Sequence, residues 1–425
     1  MGMLFAALGL WRGTLFADKV AVYDQLDGQT VTIVGRANTD AVYGQRYQLT
    51  FDMRDARSIE PIEAPLVGTM TMSGFGASTI FKGDTVRVTG KLHRSLGNNI
   101  ARISYARLEV LGHHDTLIDS VRRKFAAGMQ SALPEPAASF GLGLLVGQRN
   151  TLPQDVSEQL KMVGLTHIIA VSGYNLMIML RAAGSILGKR SKYQYICLSF
   201  CLMSTFLLLA GSSPSIIRAS VVCTLGLFAW YYGRSIQPVA LLLASAVITA
   251  YANPLYVWGN ISWYLSFLAF FGVLVLSPLI TKRLYAKRKP GLVQAMILES
   301  LCAEAMTLPY VLFIFGQMST VGLLGNIFVA AFVPLAMLFG LIAGLAGMLI
   351  PAVAGWFAWP ATIVLTYMLD IAAVLSRMPH AFIEDIGFPL SFLITAYAIV
   401  GFIVVVLRYR KSAKYAIITD KTTPI

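Results

Sequence analysis

Residues 164–187, GLTHIIAVSGYNLMIMLRAAGSIL, form a nearly membrane-length apolar stretch broken by His167, Ser172-Gly173 and Asn175. A helix that crosses a bilayer needs about 20 apolar residues. Irregular, polar backbone is tolerated at that depth only where it faces protein or a water-filled cavity. Polar groups here therefore indicate a solute path and not a plain anchor. Further apolar stretches run over 193–211, 214–232, 236–252, 261–281, 292–316, part of 319–350, 356–376 and 388–408. Only 13% of the 425 residues are charged, about half the share of a soluble domain. The expected fold is a mainly α polytopic membrane protein with broken or re-entrant helices.

The net charge of +13 resembles a nucleic-acid signal until it is mapped. Residues 18–112 carry 11 basic and 10 acidic residues, and are nearly neutral. Much of the excess lies in Lys189-Arg190-Lys192, in Lys282-Arg283-Lys287-Arg288-Lys289 and in Arg408-Arg410-Lys411-Lys414. Such clusters beside membrane spans mark cytoplasmic loops. They fall on one side if 319–350 supplies one full span and one re-entrant piece. The N-terminal region then faces outside, as does the Glu384-Asp385 loop, and the C-terminus is cytoplasmic.

The first residues, 1–17, read as a membrane anchor. Residues 20–112 change character, with alternating runs at 30–37, 44–53, 68–73, 84–92 and 99–110 separated by Gly-rich turns. Five short strands of this kind predict a small antiparallel all-β barrel, similar to the oligonucleotide-binding (OB) type. Tyr43, Tyr47, Phe75 and Phe81 are candidates for base stacking there, and Arg46, Arg87, Arg94 and Arg102 for phosphate contacts. The competing reading is that the aromatics fill the barrel core. Residues 113–135 carry Leu117, Ile118, Val121, Phe125 and Met129 at helical spacing, which predicts an amphipathic interfacial helix. The membrane domain is expected over 136–410, with its first piece, Ala137–Val146, too short to span, and a tail over 411–425.

Cys197, Cys201, Cys223 and Cys302 make no CxxC and read as buried small hydrophobes. The histidines form no metal-ligand spacing, and His113-His114-Asp115 reads as a solvated linker. No nucleophile–base pair or metal triad can be assembled, so neither an enzyme nor a cofactor is expected.

Five blocks occur in order: GLLVGQRNTLP (143–153), GLTHIIAVSGYNL (164–176), GSSPSIIRAS (211–220), GRSIQPVALLLASA (233–246) with ANPLYVWGNISWYLSFLAFFGVLVLSPLI (252–280), and LPYVLFIFGQMSTVGLLGNIFVAAFVP (308–334). Together they resemble the ComEC competence family of bacterial DNA-uptake channels. The resemblance covers nearly the whole chain, and the β region stands where that family carries an external OB-like domain. Two departures qualify it. Asn175 stands where the family usually has a histidine. In addition, the chain ends at Ile425 without the metallo-β-lactamase-like domain of many members, so nuclease activity is not carried over.

The resemblance implies a channel for single-stranded DNA in the cytoplasmic membrane during natural transformation. The implied partners are single-stranded DNA, the lipid bilayer, and a separate DNA receptor, nuclease and cytoplasmic motor or single-strand-binding protein. A strand carries about one negative charge per nucleotide. Its passage therefore requires cations or exposed backbone N–H groups in the path. Arg218 in an apolar span supplies the first, and Ser172-Gly173 the second. His167, Ser172, Gly173, Asn175, Arg218, Glu299, Glu304 and Asn326 are the expected path residues. A secondary transporter for a small anionic substrate is the alternative, since it shares the broken helices and buried carboxylates.

Overall fold

A computed structural model describes residues 2–43, 48–77, 79–95, 99–113, 117–148, 151–169, 176, 192–210, 214–234, 237–254, 256–257, 260–285 and 290–419. The chain divides into two compact units. One comprises Met1–Gly128 with Val247–Trp263, the other Met129–Ala246 with Tyr264–Ile425.

The first unit opens with α1 (Gly2–Leu26), followed by β1 (Thr30–Ala37), β2 (Val42–Tyr43), β3 (Leu49–Glu60), β4 (Ala64–Leu66), β5 (Met70–Phe75), β6 (Thr85–Arg94) and β7 (Ala101–Gly112). They form one sheet in the order β1-β6-β7-β5-β3-β2, with β4 on β3. β3 also pairs with β1, so the order of the five long strands returns to its start. Every pairing is antiparallel except β5 with β7. Period-2 alternation sends Val31, Ile33, Phe51, Met53, Met70, Met72, Val88 and Ile103 into one core. α1 runs past residue 17, where an anchor was expected to end, and buries Tyr23 and Leu26 in that core. The Tyr23 hydroxyl donates to the Val67 carbonyl at 3.1 Å.

Strand boundaries differ from expectation at β3, which covers 49–60 and not 44–53. This strand serves two neighbours, β5 along 49–53 and β1 along 53–60, and a short window of alternation cannot reveal that. β2 and β4 are too short to carry a period, and β4 contains Pro65, which suits an edge.

α2 (Leu117–Ala132) is amphipathic as expected, but its buried face is Arg122, Phe125 and Met129. Leu117 at the assigned apolar face is 87% exposed. α3 (Ala137–Val146) has all ten residues buried and is only about 15 Å long. Next come α4 (Gln154–Met162), α5 (Thr166–Ile169), α6 (Lys192–Ala210), α7 (Pro214–Tyr231) and α8 (Pro238–Ala252). α8, expected to span, has 15 residues and reaches about 22 Å, short of a hydrocarbon core of about 30 Å. Among the described residues, four helices are long and apolar enough to cross a membrane: Ile261–Leu284 (α9), Ile297–Phe315 within α10 (Leu292–Phe315), Pro351–Ser376 and Leu390–Leu407.

After α10 come β8 (Met318–Ser319), then α11 (Gly322–Ala330) and α12 (Val333–Leu349), which are bent by 50° against each other. α13 (Ala354–Ser376), β9 (Phe382–Ile383) and α14 (Leu390–Thr419) complete the chain. β8 and β9 pair antiparallel, Met318 opposite Ile383. The C-terminal ends of α10 and α13 therefore lie at the same end of the unit. α13 starts at the opposite end, so the bent α11–α12 pair leads the chain from one end to the other. Cys302 is buried, but Cys197 and Cys201 are exposed on α6, which corrects their reading as buried.

Candidate functional site

The best-defined polar group in the second unit forms where the end of α4 meets the start of α11. α4 stops because Gly164 takes a φ of +72°, which only glycine adopts freely. A Cβ there would also stand 3.2 Å from Ser319 Cβ. The chain turns into α5, and His167 Nδ1 lies 2.9 Å from the Gly164 carbonyl, to which the protonated nitrogen donates. That bond orients the ring and leaves Nε2 as its second polar atom.

α11 packs on the same turn. A Cβ on Gly325 would meet Val163 Cγ1 at 2.6 Å, and one on Gly322 would lie 3.5 Å from both Ser319 Oγ and Glu304 Oε1. The Glu304 carboxylate thus approaches the N-terminal turn of a helix, where the helix dipole favours negative charge. Asn326 follows Gly322 by four residues and shares its face. Glu304 Oε2 and Asn326 Oδ1 are both buried and accept no hydrogen bond among the described residues. Asn326 also opens a π turn, Asn326–Ala330, directly before the bend. Such turns interrupt regular helix and recur at functional sites.

Of the expected path residues, Glu304 lies beside Gly322 and Asn326 shares its helix face, while His167 is exposed on the adjoining turn, held through the Gly164 carbonyl. Glu299 is not brought to them: five residues before Glu304, it is turned about 140° around α10. Ser172, Gly173 and Asn175 lie outside the described residues. Arg218 stands elsewhere, on α7, with 0% exposure. Its guanidinium lies 4.9 Å from the centre of the Phe267 ring and 3.3 Å from Ser215 Oγ. Asp370 is exposed on α13 and is no part of a buried cluster.

Above this group, Thr320 Oγ1 donates to the His380 carbonyl at 2.7 Å, and Lys161 of α4 pairs with Glu384 at 3.5 Å. The Lys161 ammonium also lies 5.1 Å from the Phe382 ring centre. The β8–β9 ribbon and α4 thus hold the turn that carries His167. Ser319, Gly322, Lys161 and Phe267 were not anticipated. Only Gly322, in the run GLLGN, carries a sequence signal, because small residues permit close helix approach.

In the sheet unit, the expected DNA contacts separate. Arg46 and Tyr47 lie outside the described residues, as does the Tyr43 side chain. Arg87 pairs with Glu109 at 2.8 Å, and Arg94 is bonded to Asp24. Phe81 is partly exposed, with the Arg123 guanidinium 5.3 Å from its ring centre. Beside it, burial and the neighbouring Arg122 push the Lys82 ammonium below its ordinary pKa. Asp52 accepts from Thr71 Oγ1 at 3.1 Å and from Asn99 Nδ2 at 3.0 Å, yet burial raises its carboxyl above the usual value. Asp84 accepts the Phe81 N–H at 2.8 Å and closes the turn before β6. His113, expected in a solvated linker, lies 3.0 Å from the same carboxylate.

The model of the competence protein family matches residues 144–410, more than half of the chain. The chain belongs to this family. The chain is also similar to ComE operon protein 3 of Bacillus subtilis (strain 168), 24% identical over 246 residues. That similarity covers 56% of this chain and 30% of the Bacillus protein, so the chain matches less than a third of that relative's length. No solved structure matches. The family match begins in α3 and ends in α14, and so takes in the turn at Gly164, the Glu304 group and Arg218. Among the described residues of this competence protein, no group of three or more His, Cys, Asp or Glu could hold a metal ion.

Proposed function

We propose that this competence protein is a channel that carries single-stranded DNA across the bacterial cytoplasmic membrane during natural transformation. The observation that carries the proposal is Arg218, a fully buried guanidinium on an apolar helix, facing an aromatic ring. An ionisable residue on an apolar membrane-type helix is by default read as part of a functional site. Aromatic side chains collect at membrane interfaces, and the α6–α7 end carries Tyr193, Tyr195, Trp230 and Tyr231 in edge contacts. Arg218 lies twelve residues before Trp230, about 18 Å along the helix.

The sheet unit is read as an OB-like barrel outside the cell, with 136–410 as the membrane domain and a cytoplasmic C-terminus. The closed strand order supports the first point. The β8–β9 pairing supports the orientation, because one broken passage through α11 and α12 leaves the basic clusters at 282–289 and 408–414 on one side. The receptor, nuclease and motor are separate proteins in this reading. A transporter for a small anion would also use the bent α11–α12 pair, but gives no role to a nucleic-acid-type barrel.

The test is uptake of labelled DNA in a deletion strain complemented with this chain. Wild type restores nuclease-resistant label. Arg218→Ala restores none, with surface-bound DNA and membrane insertion unchanged, and Arg218→Lys restores part because a point charge replaces some of the guanidinium's role. Full uptake by Arg218→Ala would remove Arg218 from the path.

A further inference from the structure

We propose that Lys82 and Arg122 form a site for the phosphate of an anionic phospholipid, with Leu117, Ile118 and Val121 of α2 taking its acyl chains. Such a site ties the sheet unit to a membrane surface, whatever the second unit conducts.

One turn and one helix of the first unit build the site. The turn before β6 is fixed by its own backbone. Gly83 takes a φ of +101°, the Asp84 carboxylate accepts the Phe81 N–H at 2.8 Å, and Asp40 Oδ1 accepts the Lys82 N–H at 2.8 Å. The Lys82 side chain is half-buried there. α2 packs on this turn through Arg123, whose guanidinium lies 5.3 Å from the centre of the Phe81 ring. Burial, and then repulsion from Arg122 and Arg54, hold the Lys82 ammonium below its ordinary pKa. Asp40 and Asp119 act in the opposite direction and do not restore it. Arg54 is half-exposed and has Asp55 at 3.7 Å.

Arg122 is the second and independent observation. It is only 9% exposed, and its Nε is buried with no hydrogen-bond partner among the described residues. A buried N–H on a charged group is costly to leave unmade. A phosphate oxygen satisfies it, because the edge of a guanidinium matches phosphate in a two-pronged bond. The neighbouring surface selects a lipid over a free ion. Ile118 lies one turn before Arg122 on the same side of α2 and is 42% exposed, and Leu117 and Val121 beside it are exposed as well. Apolar side chains in the open next to basic residues mark a helix that lies in a membrane surface. A nucleic acid brings the phosphate too, but leaves these three side chains in water.

The experiment titrates the full chain in a neutral detergent with dihexanoyl-phosphatidylglycerol and follows the melting temperature. The lipid should raise it, and equal concentrations of dihexanoyl-phosphatidylcholine or inorganic phosphate should not. Arg122→Gln and Lys82→Gln should each weaken the apparent affinity about tenfold, and Arg122→Lys should lose less. Leu117→Gln should weaken it with the lipid-free melt unchanged, since Leu117 stands in the open. Arg57→Gln, on β3 and paired with Glu63, should respond as wild type does. Without lipid, Arg122→Gln should melt no lower than wild type. If it does melt lower, Lys82→Gln and Leu117→Gln decide, and wild-type lipid responses in both overturn the site. An unchanged lipid response in a stable Arg122→Gln overturns it directly. So does an equal shift with inorganic phosphate, which makes the pair a pocket for free anions, or a lipid shift cancelled by an oligothymidylate, which makes it part of a nucleic-acid surface. None of these outcomes decides the channel reading, which the uptake assay tests separately.

Discussion

Gly272 of α9 meets Cys302 of α10 backbone to backbone: a Cβ on Gly272 would stand 2.4 Å from the Cys302 carbonyl oxygen. The contact falls where α9 opens into the π turn Gly272–Leu276. Gly272→Ala should lower stability by about 1–3 kcal/mol, the usual cost of overpacking. Gly322→Ala should be tolerated, because its new methyl meets nothing closer than 3.4 Å. Thermal unfolding of both variants in detergent checks the contrast. Equal melting temperatures would contradict the close approach at Gly272.

Glu304 Oε2 is buried and accepts no hydrogen bond among the described residues. Glu304→Gln keeps the shape and removes the charge, and should raise stability by about 1 kcal/mol, because the helix-end dipole offsets only part of the cost of a buried carboxylate oxygen without a hydrogen bond. Glu304→Ala should not raise it, because it leaves a void beside Gly322. A destabilised Glu304→Gln would show that the ionised carboxylate is held by a partner.

Burial holds the Asp52 carboxyl above its ordinary pKa despite the hydrogen bonds from Thr71 and Asn99. Because the folded value exceeds the unfolded one, Asp52 contributes stability below the unfolded pKa and loses that contribution as pH rises through the folded value. Asp52→Asn should therefore raise the melting temperature at neutral pH and flatten its dependence across the mildly acidic range. A variant that melts lower than wild type at pH 7 would mean that the carboxylate's hydrogen bonds outweigh its desolvation.

Orientation has a direct readout in single-cysteine labelling of intact cells. A membrane-impermeant reagent should reach a probe at Ser95 and one at Asp385, and should miss one at Ala286. Protection of Ser95 with labelling of Ala286 would invert the topology.

The strand pattern was legible because β1 alternates strictly and β6 and β7 alternate over most of their length, burying one face. The length of β3 was not, because it divides its pairing between β1 and β5. Apolar stretches of membrane length announced α9, α10, α13 and α14. The shortness of α8 follows from Pro238 and Asn253-Pro254 at its ends, which hydrophobicity alone hides. His167, Glu304 and Asn326 stood out as polar residues in apolar runs. The approach of Glu304 to Gly322 did not, since it depends on how α10 and α11 pack across the β8 turn. The partners of Arg87 and Arg94 are equally tertiary: both arginines look available in sequence and are paired in the fold.

The central claim is that a single strand passes through the second unit, and the most direct measurement traps one in transit. Labelled DNA carrying a bulky end block is taken up by cells whose chain bears a photo-crosslinking residue at one chosen position. Crosslinks are expected from position 267, beside Arg218, and from position 319, beside Glu304 and Gly322. None is expected from Ile363 or Phe402, exposed on α13 and α14. Crosslinks from the α13 and α14 positions without any from 267 or 319 would contradict it.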